Sequence, residues 1–330
     1  MMQPEQLLAL ARGFQESRIL LTGAELDLFT LLALAPLDAE AVWRRTGART
    51  GTLRATTMLL DALVALGLLE KQEGSYQTAP DAAPLVADAP ASVLPMVLHA
   101  AGMWRTWSEL TPIVQQTGAP VRPASDRRDA GQLEAFIGAM HVVGAPVAAR
   151  VAAAVEPGGA RALLDVGGAT GTYSEAFLRA SPSLRATLFD LPPVIELARA
   201  RLQRVGLLDR VTLVAGNYHD DPLPGGHDLA LLSAVIHSNS DEQNRALYRK
   251  VHDALELGGR IVIRDHVMQP DRTTPRAGAI FAINMLVATA GGGTYTYDEI
   301  SAGLQQAGFE RVGLIQHGER MDGLVQAFRS

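Results

Sequence analysis

The chain has 330 residues, of which 48% are hydrophobic and 19% charged, with a formal net charge of -6. That length exceeds one ordinary core and predicts two domains, and the acidic balance gives no overall electrostatic footing for nucleic acid. The absence of cysteine excludes disulfides, zinc–thiolate sites and thiol nucleophiles.

The opening residues, "MMQPEQLLALARGF", carry Gln3 and Glu5 where an export signal needs a basic start, and they show no cleavage pattern. No run approaches the roughly 18–20 apolar residues that a membrane span needs. A cytoplasmic protein that does not engage a membrane is expected.

Residues 1–95 read as helices followed by a small β element. "EQLLALARGFQESRILLTGAELDLFTLLA" places apolar residues at helical spacing. "LDAEAVWRRTG", the turn "ART" and "GTLRATTMLLDALVALGLL" form a helix–turn–helix pattern, and "EKQEGSYQTA" adds a glycine-centred hairpin. The whole is winged-helix-like. One use of such a unit is DNA recognition by a regulator that senses a small molecule. Its second helix, however, offers Arg54 beside Asp61 and a Leu59, Leu60, Leu63, Leu66 face, and its hairpin carries Glu70 and Glu73 around Lys71. Neutralising a phosphate backbone needs several aligned cations, so a packing or dimer surface is the better reading.

Residues 96–155 form a helical connector with two apolar stretches, "VLPMVLHAAGMWRTWSELTPIVQQ" and "GQLEAFIGAMHVVGAPVAARVAAAV". The Pro- and Arg-rich "TGAPVRPASDRRDA" between them reads as an exposed loop. Trp104, Trp107, Phe136 and Met140 add bulk that serves either a core or a pocket lining.

From residue 156 strands and helices alternate. "ALLDVGG", "RATLFDLP", "RVTLVAGNY", "DLALLSAVIHS" and "GRIVIRDHV" read as strands separated by helical sequence, a doubly wound α/β layout with a mostly parallel sheet. The end differs, because "FERVGLIQHGERMDGLVQAFRS" gives two strands joined by a short turn, an antiparallel pair.

The turn in "LLDVGGATGTY" could hold several ligands. A phosphate-gripping loop needs Lys and Ser or Thr after the last glycine, whereas Gly171 is followed by Thr172 and Tyr173. A dinucleotide fingerprint wants G-x-G-x-x-G, which Gly167, Gly168 and Gly171 do not make. The remaining pattern, Asp165, Gly167, Ala169, Gly171, suits S-adenosylmethionine, whose methionine and sugar portions need close backbone approach. Asp165 would orient the turn or hold the ammonium, and the next helix start attracts the carboxylate. The second strand ends at Asp190, where a carboxylate can accept hydrogen bonds from both ribose hydroxyls. NAD carries a ribose as well; the reversed last strand is what favours a methyltransferase sheet. A purely structural turn is the remaining alternative.

These motifs, with "FDLPPV", "GNY", "AVIHSNSDE", "LELGGRIVIRD" and "NMLVATAGGGTYTYDEI" in that order, resemble the plant-type (caffeic acid and acetylserotonin) O-methyltransferases and their bacterial branch. The resemblance covers nearly the whole chain. It implies a Rossmann-like class I domain over 156–330, with a seven-stranded sheet and an antiparallel last strand, behind the dimerisation domain of 1–95. It implies a homodimer, with S-adenosylmethionine as cofactor, no metal and a small-molecule methyl acceptor. It places Gly167, Asp190, Leu191, Asn217 and Tyr218 around the cofactor, with Ser233 where the family often has a Lys or Arg. His237 matches the family's catalytic histidine, at the carboxyl edge where α/β sheets place their chemistry. An imidazole near pKa 6.5 can take a phenol's proton as the methyl arrives.

The match has gaps. His237 is followed by Ser238 and Asn239, where the family has Asp-Trp. Asp265 stands for the first flanking acid, and Thr294 occupies the position of the second. Phe136, Met140, Asn284 and Met285 match the acceptor pocket, where Met suits flat substrates. Oxygen is the favoured acceptor. Sulfur, nitrogen or carbon, or a cofactor-binding member that does not methylate, are the enzyme alternatives.

Overall fold

The long apolar pattern near the N-terminus breaks where the backbone turns. In the computed structural model, which describes residues 2–47, 51–116 and 130–330, it resolves into α1 (Pro4–Arg12), α2 (Phe14–Glu25) and α3 (Leu28–Leu34). Gly13 divides the first two, and Asp27, at φ 57°, turns the chain into the third. The turn expected at 48–50 and nearly all of the loop expected at 117–130 lie outside the described residues.

The chain divides into two compact units, Met1–Arg105 and Thr106–Ser330. In the first, β1 (Leu37–Asp38) leads into α4 (Ala39–Thr46), capped by Asp38 accepting from Ala41 N. Thr52 similarly caps α5 (Leu53–Ala65). The hairpin β2 (Leu69–Gln72) and β3 (Ser75–Thr78) turns through Glu73 and Gly74, both at positive φ, the conformation that a two-residue hairpin connection needs. β1 pairs with β3 on its other side. Leu28, Phe29, Leu32, Leu60, Leu63 and Tyr76 form the core. Two expected hairpin charges, Lys71 and Glu70, and Asp61 of α5 are committed locally: Lys71 Nζ donates to Asp61 at 2.7 Å, Tyr76 Oη donates to the same carboxylate, and Gln77 donates to Glu70. α1 buries none of its residues, and Leu7, Leu8, Leu10 and Phe14 beside it are more than half exposed. α6 (Leu94–Trp107) closes this unit and runs into the next, so the 96–155 stretch is shared between the units.

The second unit opens with α7 (Leu110–Val114) and α8 (Ala130–Val155). The sheet is built from β4 (Ala162–Val166), β5 (Arg185–Asp190), β6 (Val211–Ala215), β7 (His227–Ser233) and β8 (Leu255–Asp265). A short parallel pair stands outside it: β9 (Val267–Met268) and β10 (Tyr295–Thr296). β11 (Phe309–Gln316) and β12 (Gly323–Arg329) complete a seven-stranded sheet in the order β11-β12-β8-β7-β4-β5-β6. β4 to β8 are parallel, and β12 runs antiparallel to β8. Between the strands lie α9 (Thr172–Ala180), α10 (Pro192–Arg204), α11 (Asp241–Ala254), α12 (Arg276–Ala288) and α13 (Tyr297–Gln306).

Near-continuous apolar runs in β4, β7 and β8 follow from burial on both faces. Alternate residues sort between two cores. Leu163, Leu188, Leu231 and Val262 share one with α8, α9 and α10, while Leu164, Phe189, Leu232 and Ile263 share the other with α11 and α13. α8 corrects one expectation: 133–155 is long and apolar enough, by length and composition, to cross a membrane. Its Val151, Ala152 and Val155 are buried against β4, β5 and α9 residues as part of a core.

Candidate active site

The glycine turn leaves β4 at Gly167, φ 70°, whose N–H donates to Phe189 O at 2.8 Å. A Cβ there would meet Val235 Cγ2 at 3.0 Å, and one at Gly168 would sit 2.8–2.9 Å from Leu188 and the Asp165 carboxyl. Side chains are thus excluded where backbone must be presented. Ala169, at φ 50°, directs its N–H to Asp190 Oδ2 at 2.8 Å, and Leu191 N–H donates to Asp190 Oδ1 at 2.7 Å. Two backbone donors therefore fix the Asp190 carboxylate, and each oxygen keeps a second lone pair for a ribose hydroxyl. Burial raises the Asp190 pKa, against those two bonds. Leu191 lies open beside it.

The structure places Asp165 beneath the turn, 1% exposed. Its Oδ2 accepts from Ser174 Oγ at 2.6 Å, and Oδ1 has no partner among the described residues. Burial pushes its pKa up to about 6. Asn217 is engaged in its own loop: Nδ2 donates to Asp220, and Oδ1 accepts from His219 N–H. Tyr218 is half-buried against the α11/α13 core; desolvation pushes its pKa up to about 12, and its hydroxyl donates to Asn239 at 3.4 Å. Asn239 in turn donates to Asn244, which donates to Ile236 O. That chain of amides supports the turn bearing His237. Ser233 accepts from Arg264 Nη1 at 3.2 Å.

His237 and Asp265 are brought together. His237 Nδ1 lies 3.0 and 2.9 Å from Asp265 Oδ1 and Oδ2, and both residues are buried. Burial opposes the Asp265 charge, yet His237 and the His266 N–H hold its carboxyl below the usual range. An ionised Asp265 keeps the proton on Nδ1 and leaves Nε2 as an acceptor with no partner among the described residues. The glycines after α12 back this turn: Gly293 N–H donates to His237 O, and a Cβ on Gly292 would overlap that oxygen at 2.3 Å. Thr294 is buried, and its carbonyl accepts from Arg272.

Two residues escaped the sequence reading. Phe281 presents its ring at 87° to His237, with centroids 4.8 Å apart, and His266 packs on it at 5.0 Å. Phe281 therefore supplies an aromatic wall that the missing Trp left unassigned. It lies three and four residues before Asn284 and Met285, on one face of α12, a spacing that could have revealed it. Asn284 Oδ1 accepts from Trp107 Nε1 at 3.0 Å. Indole is only a donor, so the bond orients the amide and leaves its NH2 available. Phe136 and Met140 stand one turn apart on α8, while Met285 is buried. The next residue, His141, joins Nδ1 to Thr172 Oγ1 at 2.8 Å, linking α8 to the start of α9.

A doubly wound sheet with this reversed strand, a glycine turn and a carboxylate ending the second strand defines an S-adenosylmethionine-dependent methyltransferase. The chain belongs to the O-methyltransferase family: residues 114–310 match the O-methyltransferase domain and 8–88 the O-methyltransferase dimerisation domain. It is 32% identical to the 3-hydroxy-5-methyl-1-naphthoate 3-O-methyltransferase of Streptomyces sahachiroi, over 95% of this chain and 91% of that one. It is also 32% identical to the tetracenomycin polyketide synthesis 8-O-methyl transferase TcmO of Streptomyces glaucescens, over 94% and 92%. Human N-acetylserotonin methyltransferase, solved in complex with SAM, superposes with a TM-score of 0.84 at 26% identity, covering 100% and 99%. The cofactor is S-adenosylmethionine, the dimerisation domain supports a homodimer, and the family acts on small molecules.

Proposed function

We propose that the enzyme methylates a hydroxyl on a small, flat aromatic metabolite, with His237 as general base. The Asp265-fixed imidazole carries the reading, since its Nε2 is left ready to accept a proton. The cofactor, when bound, supplies a sulfonium methyl. Asp190 would take the ribose, the Gly167 turn the adjoining backbone contacts, and Leu191, Asn217 and Tyr218 the neighbouring rim. His237 Nε2 would take the acceptor hydroxyl's proton as the oxygen accepts that methyl. Asp265 steadies the resulting imidazolium.

Phe281, Phe136, Met140 and Met285 would wall the acceptor, with the Asn284 NH2 as its polar handle. The hydroxynaphthoate named for one relative suits such a lining. The N-terminal unit would serve self-association through the exposed α1 face; its committed Lys71 argues against a DNA-binding role. With α8 used as a core helix, we place the enzyme in the cytoplasm. A panel of hydroxynaphthoates, polyketide phenols, amines and thiols, read as S-adenosylhomocysteine release, tests the reading. Turnover of phenols should dominate, and turnover confined to amines or thiols would overturn it.

A further inference from the structure

We infer that Arg264 receives the carboxylate at the amino-acid end of S-adenosylmethionine. The inference rests on the cofactor reading and names a residue for a part of the ligand that Asp190 does not reach.

Arg264 is 4% exposed, and no carboxylate among the described residues lies within the 4.0 Å of an ion pair with its guanidinium. Its partners are a hydroxyl and a ring: Nη1 donates to Ser233 Oγ, and the guanidinium carbon stands 4.8 Å over Tyr173. Among the described residues Nε has no acceptor, and the nearby Tyr173 hydroxyl meets no hydrogen-bond geometry although Ser233 lies close to it. A permanent charge shut away from water without a counter-ion is expensive, and cation–π contact with one hydroxyl compensates only part of that. Such a group persists where an anion completes it.

The position says which anion. Arg264, Ser233, Asp165 and Asp190 share the strand parity of Val262, Leu231, Leu163 and Leu188, so all four face the α8/α9 side. By register Arg264 is level with Ser233, and Ser233 and Asp190 are level with the Gly167 turn, two residues beyond Asp165, so strand order β8-β7-β4-β5 sets guanidinium, hydroxyl, glycine turn and acid in a row along the carboxyl edge with Asp165 beneath it. Acid stands at the Asp190 end and guanidinium at the other, three strand spacings or roughly 14 Å away. The ligand has the same polarity, with ribose hydroxyls that donate at one end and a carboxylate at the other. Guanidinium to carboxylate is also the pairing with the strongest hydrogen bonds.

Calorimetry on the full chain tests this with S-adenosylhomocysteine and its decarboxylated form, S-adenosyl-3-thiopropylamine, which keeps adenosine, sulfur and ammonium. The wild type should prefer the carboxylate-bearing ligand by about ten- to a hundredfold. Arg264→Gln should lose that preference by weakening only the first ligand, and Arg264→Lys should recover part of it. Equal affinity of the wild type for both ligands overturns the proposal without any variant, as does an equal loss of both in Arg264→Gln. An aromatic hydroxy acid titrated alone covers the other source of a carboxylate: dependence of its binding on Arg264, with S-adenosylhomocysteine unaffected, would move the site to the acceptor and sink the proposal. If the wild type binds neither adenosyl ligand, the cofactor reading itself falls.

Discussion

Arg264 and Asp265 are neighbours on one strand and point to opposite faces of the sheet, and the two faces make their halves of the site differently. Arg264 belongs to a row set by strand ends and by backbone N–H groups, in which Asp190 is held by Ala169 and Leu191. Asp265 holds His237, whose other neighbours come from α12 and the glycine loop after it. On the proposed assignment the cofactor half would inherit its precision from sheet register, and the acceptor half from side chains on helices. A change on one side should therefore leave the other's measurement nearly untouched.

The largest test of that separation is His237→Ala. Turnover should fall by about 10²–10⁴-fold, while calorimetry should return the wild-type affinity for S-adenosylhomocysteine. Undiminished turnover at neutral pH would leave positioning as the whole mechanism and void the base assignment.

Next is Asp165, under the cofactor half. Its folded pKa of about 6 lies above the ordinary value near 3.9. Between those values the native state holds a proton that the unfolded chain has lost, so this group's contribution to stability falls as pH rises through the window. Fully expressed, the loss is about 3 kcal/mol and is complete above pH ~6. Asp165→Asn removes the titration, so denaturant midpoints measured from pH 4 to 7 should show the variant gaining steadily on wild type. A constant difference across that range would mean Asp165 is already ionised in the folded protein.

Asp190→Ala follows. Losing a charged hydrogen-bonding partner should weaken S-adenosylhomocysteine by about 1.5–3 kcal/mol, roughly ten- to a hundredfold, with acceptor KM little changed. An effect on the acceptor alone would put the ribose elsewhere.

The same contrast governs what the sequence could show. The glycine turn and the acid closing the next strand were legible because small residues at Gly167, Ala169 and Gly171 followed by Asp190 are local patterns that depend on one turn and one register. So was the reversed last strand, from a short turn between two apolar runs. The spacing of Phe281 to Asn284 and Met285 marked its face of α12, but its contact with His237 was not legible, because that arises from α12 meeting a loop more than forty residues earlier. Arg264 was hidden in an apolar strand, where only the structure shows that it is buried with no counter-ion among the described residues. Asn284 and Trp107, 177 residues apart in sequence, were each visible and their bond was not.

That bond gives the smallest and most selective effect. Trp107→Phe keeps an aromatic ring and deletes the indole donor that orients the Asn284 amide. A single neutral hydrogen bond is worth about 0.5–1.5 kcal/mol, so acceptor KM should rise about two- to tenfold. Asn284→Ala should cost slightly more, because it removes the handle as well as its orientation. The double variant should then add almost nothing, since Trp107 acts here through Asn284 and a coupled pair is not additive. S-Adenosylhomocysteine affinity should stay level in all three variants. Strict additivity would show that Trp107 meets the acceptor directly, and a drop in cofactor affinity would break the division between the two faces.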